Sequence, residues 1–103
     1  MVYKLIITHR AEELLDQCVS YILFKFKNEP AAKKMLDEID KIYNRLEDNP
    51  FQFADFRDPF LKSKDYKEAV VSDMDYIIIF RVKEDSVYVL GIFHQLENYK
   101  EKI

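Results

Sequence analysis

The residues best suited to take part in a reaction lie where the last strand-like run of the sequence ends. The segment VYVLGIFHQLENY, residues 87–99, begins as an apolar strand, passes Gly91, and reaches His94 and Gln95 as the apolar run stops. A histidine exchanges protons near neutral pH, so His94 is a candidate acid or base. Gly91 is the only glycine in the chain. It marks either an ordinary bulge at a sheet margin or a bend that directs polar side chains to a functional surface.

Metal or cofactor chemistry is not indicated by the other reactive residue types. The two histidines, His9 and His94, have no carboxylates at the spacing of a metal site. Gly91 alone cannot form a phosphate-binding glycine loop. Cys18 falls within an apolar helical stripe, which favours a small buried side chain over a reactive thiol. We therefore expect no metal and no cofactor.

Length and composition predict a single domain over residues 1–103. Of these residues, 49% are hydrophobic and 34% are charged, which is enough for one core and a polar surface. The formal net charge is −3, so strong intrinsic nucleic-acid binding is not expected. No apolar run is long enough to span a membrane, and the first residues lack the layout of a signal peptide. Together with the single cysteine, these features favour the cytoplasm.

The first half of the sequence predicts a strand followed by two amphipathic helices. VYKLIIT alternates like a strand, and Thr8 can cap a first helix over residues 9–26. Asn28 or Glu29 caps a second helix over residues 30–48, which Pro50 ends. The apolar positions of the first helix recur at helical spacing: Ala11, Leu14, Leu15, Cys18, Val19, Ile22 and Phe26. Those of the second helix do the same: Ala32, Met35, Leu36, Ile39, Ile42, Tyr43 and Leu46.

The second half predicts a connecting segment and three strands. Residues 51–65 show neither helical nor strand spacing, so their phenylalanines are interpreted as anchors to the core: Phe51, Phe53, Phe56 and Phe60. The strand-like runs YKEAVVS, DYIIIFRV and SVYVLGIFH are separated by short polar turns, which imply an antiparallel meander. LENYKEKI has the spacing expected of a short helix or a tail.

The fold class predicted from this order is α+β, arranged β-α-α-β-β-β with a possible short C-terminal helix. An antiparallel sheet of about four strands would carry the helical hairpin on one face, because both helices and the sheet need an apolar face covered. The other sheet face would stay open. The residues that compete for positions on the open face are Tyr66, Glu68, Tyr76, Ile78 and Arg81.

Several phrases of the sequence occur together in one known superfamily. They are the opening YKLIITHRAEELLDQCVSYI, the restart NEPAAKKMLDEIDKIYNRL with its NP stop, DYK, DYIIIFRV and the exit GIFHQLENY. In these phrases the chain resembles the RelE/ParE superfamily, the toxins of type II toxin–antitoxin modules, and is closer to ParE-like members. The resemblance covers nearly the whole chain. It implies a small antiparallel sheet packed on a helical hairpin, and a cognate antitoxin as partner.

The resemblance also implies that the polar exit of the last strand is the functional edge. A ParE-like member binds and inhibits an essential target, DNA gyrase, and needs a binding surface rather than a reaction centre. The small number of candidate catalytic residues favours this alternative, and so does the helical hairpin with NEPAA between its two helices. The residues expected to bind the target are His94, Gln95, Tyr99, Lys67, Tyr66 and Tyr76.

Two alternatives remain open within the superfamily. A RelE-type member cleaves mRNA on the ribosome, which needs a base for the 2′-hydroxyl and cations for the transition state. His94 would then be the acid or base, and Lys67 and Arg81 the cations. The chain departs from that pattern because its exit has Gln95 where such members usually carry arginine. The third possibility is a non-toxic relic of the fold that only binds partners.

Overall fold

The computed structural model describes residues 2–55, 59–71 and 74–95, and within them the chain is an α+β fold. The element order confirms the predicted sequence of a strand, a helical hairpin and three strands. The elements are β1 (Lys4–Ile7), α1 (His9–Phe24), α2 (Glu29–Asp48), a 3-10 turn (Pro50–Gln52), α3 (Pro59–Ser63), β2 (Tyr66–Val71), β3 (Tyr76–Lys83) and β4 (Ser86–His94).

Both predicted helix caps are present. The Thr8 hydroxyl accepts a hydrogen bond from the Ala11 backbone N–H at 3.2 Å and donates to the Val89 carbonyl at 2.8 Å. Asn28 caps α2 by accepting from the Ala31 backbone N–H at 3.1 Å. Each cap satisfies a backbone donor that the helix leaves unpaired. Thr8 also ties the start of α1 to β4, which positions the helix over the sheet.

The stripe of α2 forms the centre of the core, with one exception. Met35, Ile39 and Leu46 are buried against the sheet. Leu36 belongs to the predicted stripe but is 42% exposed, because it lies on the outer edge of the stripe, facing a surface groove beside α1. The prediction that Leu36 is a core residue is therefore wrong. Phe26, the last position of the first stripe, lies beyond the end of α1 and is exposed.

The sheet is mixed, which corrects the expected all-antiparallel arrangement. Its strand order is β1-β4-β3-β2. β2, β3 and β4 form the predicted antiparallel meander, whereas β1 pairs with β4 in parallel. Short turns force antiparallel pairing only between successive strands. β1 and β4 are not successive, so no turn constrains their relative direction.

A bulge in β4 shifts the alternation of its side chains between the two sheet faces. Ile79 pairs with Gly91 and Phe80 pairs with Val89, so Leu90 is the extra residue. Val89 and Ile92 pack in the core beneath the helices, while Phe93 packs in a second cluster. Because a bulge shifts the alternation by one residue, it sets which face receives each side chain after it.

The second sheet face is partly covered, where the sequence had suggested an open face. Leu61 of α3 is buried with Ile77, Ile79 and Phe93. The segment 51–65 therefore contains α3 and the end of the 3-10 turn. Leu61 is the most deeply buried of its described residues, and the aromatic pattern did not single it out.

The phenylalanines predicted as anchors behave differently from one another. Phe53 packs edge-to-face on Phe80 at 5.7 Å between ring centroids, whereas Phe51 and Phe60 are more than half exposed. Phe56 and the possible C-terminal helix lie outside the described residues. Within the described ranges, no helix combines the length and apolar content needed to cross a membrane.

Candidate target-binding surface

Tyr76 and His94 meet at one end of the sheet. They are directly opposite each other on β3 and β4, and their rings pack edge-to-face with centroids 5.2 Å apart. The His94 side chain is half-buried on the sheet face that carries the helices, because Tyr76 packs against the core on that face. The pair therefore presents a fixed aromatic edge where β4 ends.

Gln95 continues this edge into solvent. Its backbone N–H donates to the Asp75 carbonyl at 2.8 Å, and the residue is exposed. We name Tyr76, His94 and Gln95 the exit surface. Tyr99, which the sequence analysis placed in the same site, lies outside the described residues.

A cleft between α1 and the sheet adjoins the exit surface and shares Tyr76 with it. Its volume is about 330 Å³. The floor is apolar and the rim polar, and the lining residues are Arg10, Leu14, Gln17, Cys18, Tyr21, Tyr76 and Ile92. We name it the α1 cleft. Sequence reasoning missed its polar members, although one signal was available: Arg10 is a cation in the first helical turn, where the helix dipole favours anions.

Lys67 is held at the outer edge of the sheet, away from the exit surface. Its ammonium forms an ion pair with Asp55 and lies 5.6 Å from the centre of the Phe51 ring. The hydrogen bond from Lys67, together with its positive charge, lowers the pKa of the Asp55 carboxyl below its usual value. The Lys67 side chain is only 17% exposed. Its charge is therefore already matched within the protein.

Tyr66 and Arg81 meet on the opposite sheet face. They are directly across from each other on β2 and β3, and Arg81 is also opposite Tyr88 on β4. Phe80 points into the core beneath the helices, so the next residue, Arg81, points to the other face. Arg81 is exposed and the two tyrosines are half-buried.

The structure thus brings some predicted site residues together and separates others. Tyr76 and His94 are in contact, and Tyr66 and Arg81 are paired across neighbouring strands. Arg81 lies five residues along β3 from the partner of His94, which is about 16 Å of strand, and on the opposite face. The proposed acid or base and its cations for RNA cleavage therefore do not share one site. Among the described residues, no cluster of three or more His, Cys, Asp or Glu side chains could hold a metal ion.

Comparison with known proteins identifies the family of this chain. The sequence profile of the ParE toxin of the type II toxin–antitoxin system parDE matches residues 5–99. The chain belongs to the ParE toxin family. The predicted resemblance to ParE-like members of the RelE/ParE superfamily is thereby confirmed.

Solved structures similar to this ParE-family toxin agree on the fold. A structure described as the chromosomal ParDE toxin–antitoxin system from P. aeruginosa superposes with a TM-score of 0.69 at 20% identity, covering 90% of this chain and 96% of that one. The solution structure of a conserved hypothetical protein from Helicobacter pylori gives a TM-score of 0.53 at 17% identity, covering 87% and 91%. No curated protein matches the sequence at a significant level.

Proposed function

We propose that this ParE-family toxin acts by binding and inhibiting DNA gyrase. The observation that carries the proposal is the match to the ParE toxin family over residues 5–99. The separation of His94 from Arg81 supports it, because an RNA-cleaving site needs its proton-transfer group and its cations around one phosphate. Binding needs only a preformed surface, which the packed Tyr76–His94 pair supplies.

The exit surface is proposed as the main contact with the target. Aromatic side chains held by packing are typical centres of binding energy in interfaces, because little conformational entropy is lost when they are covered. The Tyr76–His94 pair meets this description, and Gln95 adds exposed amide groups beside it. Tyr99 follows within four residues and is proposed to extend this contact. Lys67, opposite Phe80 on the same sheet face as the exit surface, is proposed as a peripheral contact. Tyr66 lies with Arg81 on the other sheet face and is not part of this proposed contact.

A cognate antitoxin is the proposed physiological partner. The family description places such toxins in type II toxin–antitoxin systems. The exposed apolar groove along the hairpin supports a protein partner, because apolar surface left open on a small domain is a typical interaction site. Val19, Leu23 and Leu36 line this groove. A cytoplasmic location is part of the same proposal.

Induced expression separates binding from RNA cleavage. The expected result is growth arrest with intact mRNA, measured by primer extension on ribosome-bound transcripts. Under the binding proposal, Arg81→Gln retains toxicity, because Arg81 is on the face opposite the exit surface. If the toxin cleaved mRNA and His94→Gln slowed cleavage by roughly 10²–10⁴-fold, the expected effect of removing a general acid or base, the binding proposal would be wrong.

The antitoxin proposal has its own test. The product of the reading frame adjacent to the toxin gene should co-purify with the toxin and suppress its toxicity. Leu36→Glu, which places a charge in the hairpin groove, should weaken the complex, while Lys83→Glu on an exposed strand end should not. Absence of any complex in co-expression would exclude a typical toxin–antitoxin pair at this locus.

A further inference from the structure

Among the described residues that line it, the α1 cleft combines an apolar floor with a rim that carries one positive charge. Leu14 and Ile92 form the floor, and Gln17 and Tyr21 add polar groups at the rim. Arg10 is the cation, and none of the described lining residues is acidic. A volume of about 330 Å³ is at the small end of the range for ligand pockets. The cleft is therefore large enough for one large side chain and a neighbouring polar group.

Arg10 is an exposed cation at a position in the helix that favours anions. It lies in the first turn of α1, where the helix dipole disfavours a cation. The charges of its neighbours are matched. Glu12 suits the positive end of the helix dipole, and Nε2 of His9 lies 2.7 Å from Oε1 of Glu13. No ion pair joins Arg10 to another residue in the described ranges of the chain. An unmatched guanidinium beside an apolar floor is suited to a carboxylate that is attached to an apolar group.

We propose that the α1 cleft binds an acidic–aromatic pair of adjacent side chains on a peptide segment of a partner protein. The carboxylate pairs with Arg10, and the aromatic ring covers Leu14 and Ile92 between Tyr21 and Tyr76. Two observations favour a peptide as the occupant. The lining is complementary in charge to an acidic residue, and the cleft shares Tyr76 with the exit surface, so one segment can cross both. The inference depends on the cleft itself and not on gyrase being the target.

Blocked tetrapeptides test the proposal directly. The probes are Ala-Glu-Phe-Ala and its neutral counterpart Ala-Gln-Phe-Ala, each with acetylated and amidated ends. Cys18 lines the cleft and is the only cysteine in the chain, so its rate of alkylation by iodoacetamide reports occupancy. We expect the acidic peptide to slow alkylation at concentrations roughly threefold to fivefold lower than the neutral peptide, the usual worth of a partly exposed ion pair.

Matched variants assign the preference to Arg10. Arg10→Gln should bind both peptides equally, and Arg10→Lys should keep most of the preference because it keeps the charge. Lys83→Gln, which removes an exposed charge elsewhere, should leave the preference unchanged. Circular dichroism and the melting temperature verify the fold of each variant. If Arg10→Gln does not fold, the loss of preference in the native protein at high salt replaces it, since an exposed ion pair is screened by salt.

Three results would overturn the proposal. The first is equal protection of Cys18 by the acidic and neutral peptides in the native protein. The second is an unchanged preference in Arg10→Gln. The third is tighter binding of free N-acetylphenylalanine than of the acidic tetrapeptide, which would assign the cleft to a small carboxylic acid and not to a protein segment. Failure to inhibit gyrase would contradict the proposed function but would leave these peptide measurements as an independent test of the cleft.

Discussion

Gly91 is in close contact with the ring of Phe93. A Cβ atom added at Gly91 would lie 2.6 Å from Cε2 of Phe93 and 3.1 Å from Cδ1 of Leu14. Its backbone is not in the left-handed region, so glycine is needed here for space and not for an unusual conformation. The structure contains a bulge at this point of β4, with Leu90 as the extra residue, and the missing side chain of Gly91 leaves room for the Phe93 ring.

Gly91→Ala should therefore destabilise the protein by about 1–3 kcal/mol, the usual cost of overfilling a packed region. Urea unfolding measures the change. In the Phe93→Leu background the same substitution should cost less, because the ring that the methyl group meets has been removed. A cost of less than about 0.5 kcal/mol in the native background would show that the contact is relieved without strain.

Ile39 and Leu36 form a matched pair for testing the core of α2. Both belong to the apolar stripe of the helix, but Ile39 is 1% exposed and Leu36 is 42% exposed. Ile39→Ala should cost about 2–5 kcal/mol, as expected for a large-to-small change in a core. Leu36→Ala should cost less than about 1 kcal/mol, because it leaves no cavity. Equal costs would contradict the assignment of Leu36 to a surface groove.

The Tyr43 hydroxyl is buried without a hydrogen-bond partner among the described residues. Burial, followed by the charges of Asp40 and Glu12, raises the pKa of Tyr43 from 10.0 to about 12. Tyr43→Phe should leave stability at pH 7 unchanged or raise it by up to about 1 kcal/mol, because it removes an unsatisfied polar group.

The same residue predicts a dependence on alkaline pH. The folded state keeps its proton to higher pH than the unfolded state. Stability linked to Tyr43 is therefore complete below pH 10.0 and is lost as the pH rises through about 12. Urea unfolding at pH 9, 10 and 11 should show a steeper decline for the native protein than for Tyr43→Phe. Parallel declines would show that the folded pKa is not raised.

The helical hairpin was predictable because its signals are local. Thr8 and Asn28 are strong caps, Pro50 ends the second helix, and the stripes between them span several turns. α3 is only five residues long, which is too short for a periodic signal. Leu61 is therefore visible as an anchor only once the chain has folded back on the sheet. The direction of β1 relative to β4 was equally hidden, because it depends on packing between segments that are far apart in sequence.

The candidate site was predictable only in part. Strand pairing and the apolar pattern located His94 at the end of β4, and the structure adds its ring contact with Tyr76. The sequence could not show that Arg81 is on the other face, because the run YIIIF has no clear alternation and is buried throughout from Ile77 to Phe80. The ion pair that occupies Lys67 joins residues 12 positions apart, Asp55 and Lys67, and no sequence pattern indicated it.

The proposal that the toxin inhibits gyrase is tested by supercoiling of relaxed plasmid with purified gyrase and increasing amounts of the toxin. We expect the native toxin to inhibit supercoiling. His94→Gln should require roughly threefold to tenfold more protein, the effect of losing one aromatic contact in an interface. Arg81→Gln should inhibit as the native toxin does. Supercoiling that proceeds unimpaired at toxin concentrations that arrest growth would show that gyrase is not the target.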